Sequence, residues 1–365
     1  MSNVSKISPK IMILAGGTGG HVFPGLAIAN KLVKQNISVS WLGSVGGMET
    51  KLVPQNNIDL YTLGIKGLRG KNWRQQIAVP FQLIHAVYQA CQIFRKERPD
   101  VVLGMGGFVA GPGGIAAKLL GIPLVIHEQN SIAGLTNRWL SKIASRVLCA
   151  FPNTFPKKIN ALTTGNPVRK EIADIPAPNQ RFQMEEKRKT HLLILGGSLG
   201  AQALNNTVPD ALALLPEESR PEIWHQTGGA LYDATQCRYE NLAISANIVP
   251  FIDEISHSYE WADVIICRAG ALTLAELTCV GVAAILIPYP YAVDDHQTVN
   301  AQFLVNNNAA LLLPQTELSA AHLNNLLLEL LSDPKKRLAM ANASRALRQE
   351  NATKTVIEQC LLFIN

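Results

Sequence analysis

A short apolar strand that runs into a glycine loop and then into a helix occurs twice in this chain of 365 residues. The first copy is Lys10 to Ala15, followed by Gly16-Gly-Thr-Gly-Gly-His21, with a helical pattern from Pro24. The second copy is His191 to Leu195, followed by Gly196-Gly-Ser-Leu-Gly200. Other short apolar strands alternate with helices, which is typical of a doubly wound parallel sheet. The chain is long enough for two cores, so we predict two Rossmann-like α/β halves.

The boundary between the halves is predicted at Gly165. The first domain then spans residues 1–165 and the second 166–344, and a helix over residues 345–365 is expected to pack back on the first domain. Pro176, Pro178 and the charged run Glu185 to Lys189 predict a linker between the halves. Further strands are predicted over residues 38–42, 99–103, 122–126, 248–251, 264–267 and 283–288.

Charge is divided unevenly between these halves. Residues 1–165 hold 18 Lys and Arg against 5 Asp and Glu, whereas residues 166–365 hold 15 against 22. The first half therefore carries a net charge of +13 and the second a net charge of −7, which together give the +6 of the whole chain. A basic half indicates an anionic membrane, a nucleic acid or an anionic ligand, although solubility alone also accounts for a charge surplus.

Targeting and redox signals are weak in this sequence. The charge-free runs 101–117 and 277–293 contain Gly-Pro or Pro-Tyr-Pro breaks and fall short of the roughly 20 residues of a membrane-spanning helix. The N-terminus lacks the apolar length of a signal peptide, so we expect a cytoplasmic protein. Six cysteines lie far apart without a C-x-x-C pair, which predicts reduced and mostly buried thiols.

A glycine loop between a strand and a helix presents backbone N–H groups to a phosphate or another anion. Residues 16–20 lack both the G-x-G-x-x-G spacing and an acidic ribose partner about 20 residues on, and the chain has no P-loop motif. Two such loops, one in each domain, suit a ligand with a diphosphate in its middle. Either loop alone can also be a tight turn.

A third glycine-rich stretch, from Gly104 to Gly114, predicts close approach of the backbone to a ligand or a helix. It is followed by His127-Glu-Gln-Asn130 at the carboxyl end of the next strand, the edge where open α/β sheets bind ligands. His127 and Glu128 are therefore expected either to contact substrate or to support the residues that do.

The second half offers a carboxylate near the start of a helix. In the segment Arg268 to Glu276, a turn enters a helix, and Glu276 can accept hydrogen bonds from both hydroxyls of a ribose while helix N–H groups hold a diphosphate or a base. A Glu that merely complements the helix dipole is the alternative. Asp294 and Asp295 are adjacent, without the D-x-D spacing of metal-dependent sugar transferases, so we expect neither a bound metal nor another cofactor.

An apolar face is predicted along a helix near residue 80. Its side chains recur at steps of three or four residues, after the basic residues Arg69, Lys71 and Arg74. The apolar residues are Trp73, Ile77, Phe81, Ile84 and Tyr88. An apolar patch with a basic rim is typical of a membrane-binding surface, although an ordinary core-facing helix shows the same spacing.

Together, these motifs resemble those of the MurG family, the N-acetylglucosaminyltransferases of peptidoglycan synthesis, over nearly the whole chain. The segments that carry the resemblance are 16–21, 67–70, 104–107, 127–130, 165–169, 196–198 and 268–276. The resemblance implies a GT-B fold, with two Rossmann-like domains whose parallel sheets face each other across a cleft. It also implies an inverting transfer of N-acetylglucosamine from UDP-N-acetylglucosamine to the muramoyl C4 hydroxyl of lipid I, which yields lipid II.

The family's partners and location follow from the same resemblance. They are the donor UDP-N-acetylglucosamine, the acceptor lipid I (undecaprenyl-diphosphate-N-acetylmuramoyl-pentapeptide), an anionic membrane surface and other proteins of cell-wall synthesis. No nucleic-acid partner is expected. The implied location is the cytoplasmic face of the bacterial inner membrane, with peripheral attachment.

By motif match, the resemblance assigns the UDP donor mainly to the second predicted domain. The implied donor-binding residues are Arg169, Ser198, Ile252, Arg268, Ala271, Leu272, Thr273, Leu274, Ala275, Glu276 and Gln297. Within this set, the Ile252 backbone reads uracil, Glu276 holds the ribose and Ser198 contacts phosphate. The chain has Leu199 where the family commonly has Gln and Ala269 where Ser is common, which weakens the predicted diphosphate contact there.

The transferred sugar and the acceptor are implied to lie near Thr18, Gly19, Gly20 and Asn130. Inversion needs a base that takes the acceptor proton while the C4 oxygen attacks. We predict His21 for this role. Glu128 is the rival, and a purely structural role for His21 is the alternative.

Two other functions remain open from the sequence. A UDP-sugar 2-epimerase can share two Rossmann-like halves and a ribose-binding Glu, but the basic, apolar first domain counts against it. A non-enzymatic protein that binds anionic lipid or nucleic acid accounts for the +13 half, but leaves both glycine loops and Glu276 unexplained.

Overall fold

The computed structural model describes residues 9–64, 79–182, 188–197 and 200–364, which form two α/β units. One unit, the N-domain, comprises the chain up to Arg169 together with the segment from Asn351 to the C-terminus. The other, the C-domain, comprises Lys170–Glu350. Each unit contains its own parallel sheet.

The N-domain sheet has seven parallel strands in the order β3-β2-β1-β4-β5-β6-β7. Its strands are β1 Lys10–Ala15, β2 Ser38–Ser44, β3 Asp59–Leu63, β4 Val101–Gly106, β5 Leu124–Glu128, β6 Arg146–Cys149 and β7 Leu162–Thr163. Its helices are α1 Gly19–Lys34, α2 Glu49–Gln55, α3 Val79–Glu97, α4 Ala110–Leu119 and α5 Leu135–Leu140. Helices cover both faces, so the central strands are buried and read as continuous apolar runs.

The C-domain sheet has six parallel strands in the order β10-β9-β8-β11-β12-β13. Its strands are β8 His191–Leu195, β9 Glu222–Gln226, β10 Asn247–Val249, β11 Val264–Cys267, β12 Ala283–Leu286 and β13 Leu311–Leu312. Its helices are α6 Lys170–Ala173, α7 Pro178–Arg181, α8 Gln202–Ala213, α9 Tyr232–Asn241, α10 Ile255–Trp261, α11 Ala271–Val280, α12 His296–Val305, α13 Ala320–Leu331 and α14 Pro334–Ala346. Short 3-10 turns lie at Lys157–Ile159, Glu217–Ser219, Gly229–Leu231, Val293–Asp295 and Gln315–Glu317.

The last helix, α15 (Ala352–Leu361), belongs to the N-domain. Its apolar side chains Val356, Ile357 and Cys360 join the core formed by β1, β4 and α1. Arg146 on β6 also donates from Nε to the side-chain oxygen of Gln359, at 2.7 Å. The chain therefore leaves the N-domain once and returns to it at its end.

The helix after the first glycine loop begins earlier than its sequence suggested. It starts at Gly19, and Pro24 lies inside it. Pro24 removes the backbone hydrogen bond that its position would donate to Gly20 O, and the helix continues through it.

Part of the predicted linker is instead packed on the C-domain. Ile172, Ile175 and Pro178 are buried, and arginine side chains of this domain hold the carbonyls of the segment. Arg348 donates to Ala173 O at 2.9 Å and Arg345 donates to Ile175 O at 3.3 Å. The linker prediction was wrong for residues 170–181, because Pro176 lies between two short helices and Pro178 begins the second of them, while the segment stays packed on its domain.

The cysteine prediction is confirmed. All six cysteines are free thiols, and all except Cys237 are buried. In the parts of the chain that the structure describes, no helix is both long and apolar enough to cross a membrane.

Candidate active site

The first glycine loop joins β1 to α1 and is held from behind by one carboxylate. Glu49, the first residue of α2, is fully buried. Its Oε1 accepts hydrogen bonds from the N–H and the hydroxyl of Ser44, both at 2.7 Å, and its Oε2 accepts one from the Gly17 N–H at 3.1 Å. A charged acceptor with three donors forms strong bonds, so Gly17 is fixed to the sheet.

Glycines make the room that this carboxylate needs. A Cβ atom at Gly16, Gly43 or Gly47 would collide with the Glu49 side chain. The loop entrance is also held by Trp41, whose indole N–H donates to Ala15 O at 2.8 Å. Several glycines of this region therefore serve a buried protein contact.

The third glycine-rich stretch, which begins within β4, packs against the first loop. A Cβ atom at Gly106 would lie 2.5 Å from His21 Nδ1, and one at Gly107 would collide with the Gly16 carbonyl oxygen. The close backbone approach predicted for residues 104–114 is confirmed at these positions. What approaches is the first glycine loop and the ring of His21.

His21 lies in the first turn of α1 and is half-buried. Its Nδ1 lies 3.1 Å from Oε1 of Gln129, which follows β5 and is 2% exposed. The amide nitrogen of Gln129 donates to Met105 O at 2.6 Å and lies 3.3 Å from His127 Nδ1. The predicted base is therefore connected to the His127-Glu-Gln-Asn130 motif.

Glu128 is occupied by protein donors. Its Oε1 accepts from the backbone and side-chain amides of Asn130, at 3.0 and 3.3 Å. Its Oε2 accepts from the Gly134 N–H at 3.1 Å and from the Asn137 side chain at 2.9 Å. The residue is buried, so its geometry is that of a group that positions Asn130.

His127 lies behind this group and is fully buried. Its Nε2 lies 2.9 Å from Gly165 O and 3.2 Å from the Thr164 hydroxyl. Burial lowers the pKa of His127 to about 4, because the charged imidazolium would lose its hydration there. The neutral ring supports the site from inside.

Arg169 ends the N-domain segment and lies over α1. Its guanidinium carbon stands 4.6 Å from the centre of the Phe23 ring, a cation–π arrangement. It thus shares a domain with Thr18, Gly19, Gly20 and Asn130, whereas the other predicted donor residues belong to the C-domain.

The glycine loop of the C-domain is held mainly by backbone. The Gly196 N–H donates to Gln226 O at 3.1 Å, and a Cβ atom at Gly200 would collide with Thr227 O. The Gln226 side chain accepts from the Ile252 N–H at 3.2 Å, which positions the residue predicted to read uracil. Ser198 and Leu199 lie outside the described residues.

Glu276 is the sixth residue of α11, which begins at Ala271 after the N-cap Gly270. It is buried and accepts a hydrogen bond at 3.0 Å from the hydroxyl of Tyr259, which is also buried. Because the helix dipole acts mainly within the first turn, a second-turn Glu is poorly placed to complement it. The helix-dipole alternative is therefore disfavoured for this carboxylate.

Arg268 and Gln297 meet at the segment after β12. Arg268 donates from Nη1 to Ile287 O at 3.1 Å and to Pro288 O at 3.2 Å, and Gln297 accepts from the Tyr289 N–H at 2.9 Å. Burial lowers the pKa of Arg268, because the charged guanidinium loses hydration there. Both side chains shape one loop at the carboxyl edge of the C-domain sheet.

No cluster of three or more His, Cys, Asp or Glu side chains with metal-binding geometry occurs within the described residues.

Four supporting residues received no role from the sequence: Glu49, Gln129, Gln226 and Tyr259. A signal for Glu49 exists, since it is one of only five acidic residues in a basic half and follows Gly46-Gly47.

Known proteins similar to this chain match it along its length. Residues 11–149 match the glycosyltransferase family 28 N-terminal domain, and residues 191–359 match the corresponding C-terminal domain. A Marinobacter nauticus protein is 48% identical over 98% of both chains. It is named UDP-N-acetylglucosamine--N-acetylmuramyl-(pentapeptide) pyrophosphoryl-undecaprenol N-acetylglucosamine transferase. The chain belongs to the MurG family.

Solved structures agree with membership of the MurG family. The crystal structure of Acinetobacter baumannii MurG has a TM-score of 0.81 and 41% identity, and the match covers 97% of this chain and 99% of that one. UDP-GlcNAc 2-epimerase from Neisseria meningitidis has a TM-score of 0.66 at 12% identity over 97% and 100% of the two chains, which shows a common fold alone. The predicted GT-B class, with two parallel-sheet domains, is confirmed.

Proposed function

We propose that this protein transfers N-acetylglucosamine from UDP-N-acetylglucosamine to the muramoyl C4 hydroxyl of lipid I, forming lipid II with inversion at the anomeric carbon. The observation that carries the proposal is the full-length similarity to proteins named as N-acetylglucosamine transferases of this kind and to MurG. The two sheets, each with a glycine loop at the carboxyl end of its first strand, supply the architecture that such an enzyme needs.

The donor is assigned to the C-domain. Glu276, held by Tyr259, accepts the ribose hydroxyls, and the backbone at Ile252 reads the uracil. The diphosphate lies near the N-terminus of α11, from Ala271 onward, and near the loop that contains Ser198. N–H groups at a helix start stabilise the negative charge that grows on the leaving UDP.

The acceptor is assigned to the N-domain, near Thr18, Gly19, Gly20 and Asn130. As the C4 oxygen bonds to the anomeric carbon, the bond from that carbon to UDP breaks and UDP leaves with the electron pair. The C4 hydroxyl proton passes to His21. Glu128 is the weaker candidate for the base, because its carboxylate already accepts four hydrogen bonds.

Attachment to the cytoplasmic face of the inner membrane is assigned to α3. Its residues Phe81, Ile84 and Tyr88 are 74%, 67% and 56% exposed, while Ala90 and Phe94 on the opposite side are buried. An apolar face left in solvent is expected of a membrane-binding helix, and the basic N-domain favours anionic lipid. Trp73, Ile77 and the basic residues 69, 71 and 74 lie outside the described residues. Other proteins of cell-wall synthesis would be met on the same membrane.

A UDP-release assay tests the function directly. The purified protein should release UDP from UDP-N-acetylglucosamine only when a polyprenyl-diphosphate-muramoyl acceptor is present, and mass spectrometry should show the added sugar. No UDP release with that acceptor would contradict the proposal. Formation of a C2-inverted sugar without acceptor would instead support the epimerase. Salt-dependent RNA binding without affinity for UDP would support the non-enzymatic alternative.

The assignment of the base needs a separate measurement. His21→Ala should lower turnover by about 100-fold or more, as expected for a lost general base, while UDP affinity changes little. Near-normal turnover would leave Glu128 or another residue in that role.

A further inference from the structure

We propose that Gln129 and His127 are positioning residues that place the proton of His21 on Nδ1 and leave Nε2 as the nitrogen that accepts a proton. The catalytic meaning of this arrangement rests on the proposed function, whereas the position of the proton follows from the hydrogen bonds alone.

The orientation of the Gln129 amide is fixed by a carbonyl. Its nitrogen lies 2.6 Å from Met105 O, which can only accept a hydrogen bond. An amide turned the other way would bring two oxygens together at that distance. The amide oxygen therefore points to the other side, where it lies 3.1 Å from His21 Nδ1.

This oxygen then fixes the tautomer of His21. Because a side-chain amide oxygen can only accept, Nδ1 must carry the hydrogen. A neutral imidazole has one N–H, so Nε2 holds a lone pair. No residue in the described part of the chain forms a hydrogen bond with that nitrogen. The ring can approach Gln129 because Gly106 has no Cβ, which would lie 2.5 Å from Nδ1.

The hydrogen bonds of His127 support the same orientation of the Gln129 amide. His127 Nε2 lies 2.9 Å from Gly165 O, another pure acceptor, so that nitrogen carries the proton of His127. His127 Nδ1 is left with a lone pair, 3.3 Å from the Gln129 amide nitrogen. Both hydrogens of the amide are thus used, one on Met105 O and one on His127. Burial holds the pKa of His127 near 4, which keeps that lone pair available at neutral pH.

The chain of hydrogen bonds is therefore anchored by two backbone carbonyls and can adopt one arrangement of protons. A flipped Gln129 would oppose its oxygen to both Met105 O and the His127 lone pair. Neutral histidine in water prefers the proton on Nε2, so the protein must impose the opposite tautomer. A neutral amide does this without adding a charge beside the base.

Nitrogen-15 NMR on the full chain labelled with ¹⁵N-histidine tests the proposal. The signals of His21 are identified by their loss in His21→Gln, at a pH where the ring is neutral. In the wild-type protein, Nδ1 should show the chemical shift of a protonated ring nitrogen and Nε2 that of an unprotonated one. The reverse pattern would overturn the proposal.

Gln129→Met keeps the length of the side chain and removes both the acceptor for His21 and the donors. We expect its His21 to shift toward the Nε2-protonated form, with kcat reduced about 100-fold, within the range that a general base contributes, and the KM for UDP-N-acetylglucosamine nearly unchanged. Thr164→Val is the matched control, because it removes a neighbour of His127 but keeps the bond to Gly165 O. An unchanged tautomer in Gln129→Met would also overturn the proposal.

The two proposals fail separately. If the wild-type spectrum shows the proton on Nδ1 but His21→Gln retains normal turnover, the positioning role stands and the assignment of His21 as base falls. If turnover is lost in His21→Gln but the wild-type proton lies on Nε2, the assignment of His21 as base stands and the positioning role falls.

Discussion

The two domains hold their glycine loops in different ways. In the N-domain, buried side chains fix the loop: Glu49 binds the Gly17 N–H and Trp41 binds Ala15 O. In the C-domain, Gly196 bonds to the backbone of β9 and Gly200 fits tightly against Thr227 O. The first loop is therefore held mainly by side chains, and the second mainly by backbone atoms.

This difference has a chemical meaning. An amide that already donates to a carboxylate is not available to a ligand, so Gly17 cannot offer its N–H to a phosphate while Glu49 is bound. The similar sequences of the two loops suggest equivalent halves of one diphosphate site. The bond between Gly17 and Glu49 makes the two loops different in this respect. Four predictions test or sharpen this contrast.

The largest effect is expected from Glu49→Ala. The change leaves the Gly17 and Ser44 donors unpaired and opens a cavity, so the N-domain should lose about 4 kcal/mol of stability. Hydrogen exchange measured by mass spectrometry should show faster exchange in β1 and unchanged exchange in β8. The matched change in the C-domain, Gln226→Ala, removes one bond to Ile252 and should cost only about 1 kcal/mol. Equal losses in the two variants would remove the contrast.

The next effect is acid lability of the N-domain through His127. Its folded pKa of about 4 lies below the unfolded value of 6.5, so the unfolded chain binds more protons between these values. The contribution of His127 to the free energy of unfolding is fully present above pH 6.5. It falls by about 3 kcal/mol as the pH drops to 4. Hydrogen exchange of β5 peptides, measured against urea concentration at each pH, gives this loss. In His127→Gln the N-domain should lose this dependence, and a persistent dependence would point to another group.

A smaller effect distinguishes two glycines of the C-domain loop that both have a φ of +80°. Gly197→Ala meets no atom within 4 Å and should cost about 1 kcal/mol of backbone strain. Gly200→Ala adds a collision with Thr227 O and should cost about 2 kcal/mol or more. Thermal unfolding of the two variants gives the comparison. Similar melting temperatures would show that the backbone contact does not hold the loop.

The last prediction concerns donor binding, where no loss of fold stability is expected. Glu276→Gln keeps the size of the side chain but removes its charge, so the Kd for UDP-N-acetylglucosamine should rise about tenfold, or about 1.4 kcal/mol. Calorimetry measures this, with Glu49→Gln as the N-domain counterpart that should leave the donor Kd unchanged. A donor Kd that does not change in Glu276→Gln would remove the proposed ribose contact.

Sequence alone predicted the elements that depend on local pattern. β1, β8 and β11 have the predicted bounds, because each is a continuous apolar run buried on both faces. Short strands such as β7 and β13, with two residues each, carry no such run and depend on their neighbours for pairing. The candidate site segments that follow β1, β5, β8 and β11 lie at the carboxyl edges of the two sheets, as their positions after apolar runs indicate.

The supporting contacts of the site could not be predicted in this way. Glu49 reaches Gly17 across 32 positions, and Gln129 meets Met105, His127 and His21 from three separate segments. Neither arrangement leaves a periodic signal, and the scarcity of acidic residues in the first half marks Glu49 without indicating its partner. They depend on strand order, which places β4 between β1 and β5.

The position of α15 sets an order on the assembly of the molecule. Because Val356, Ile357 and Cys360 complete the core around β1 and α1, the domain that is synthesised first stays unfinished until the last segment leaves the ribosome. The C-domain, which lies wholly between the two parts, has all its strands before that moment. During biosynthesis, the part of the N-domain core around β1 and α1 therefore lacks the α15 side chains while the C-domain is translated.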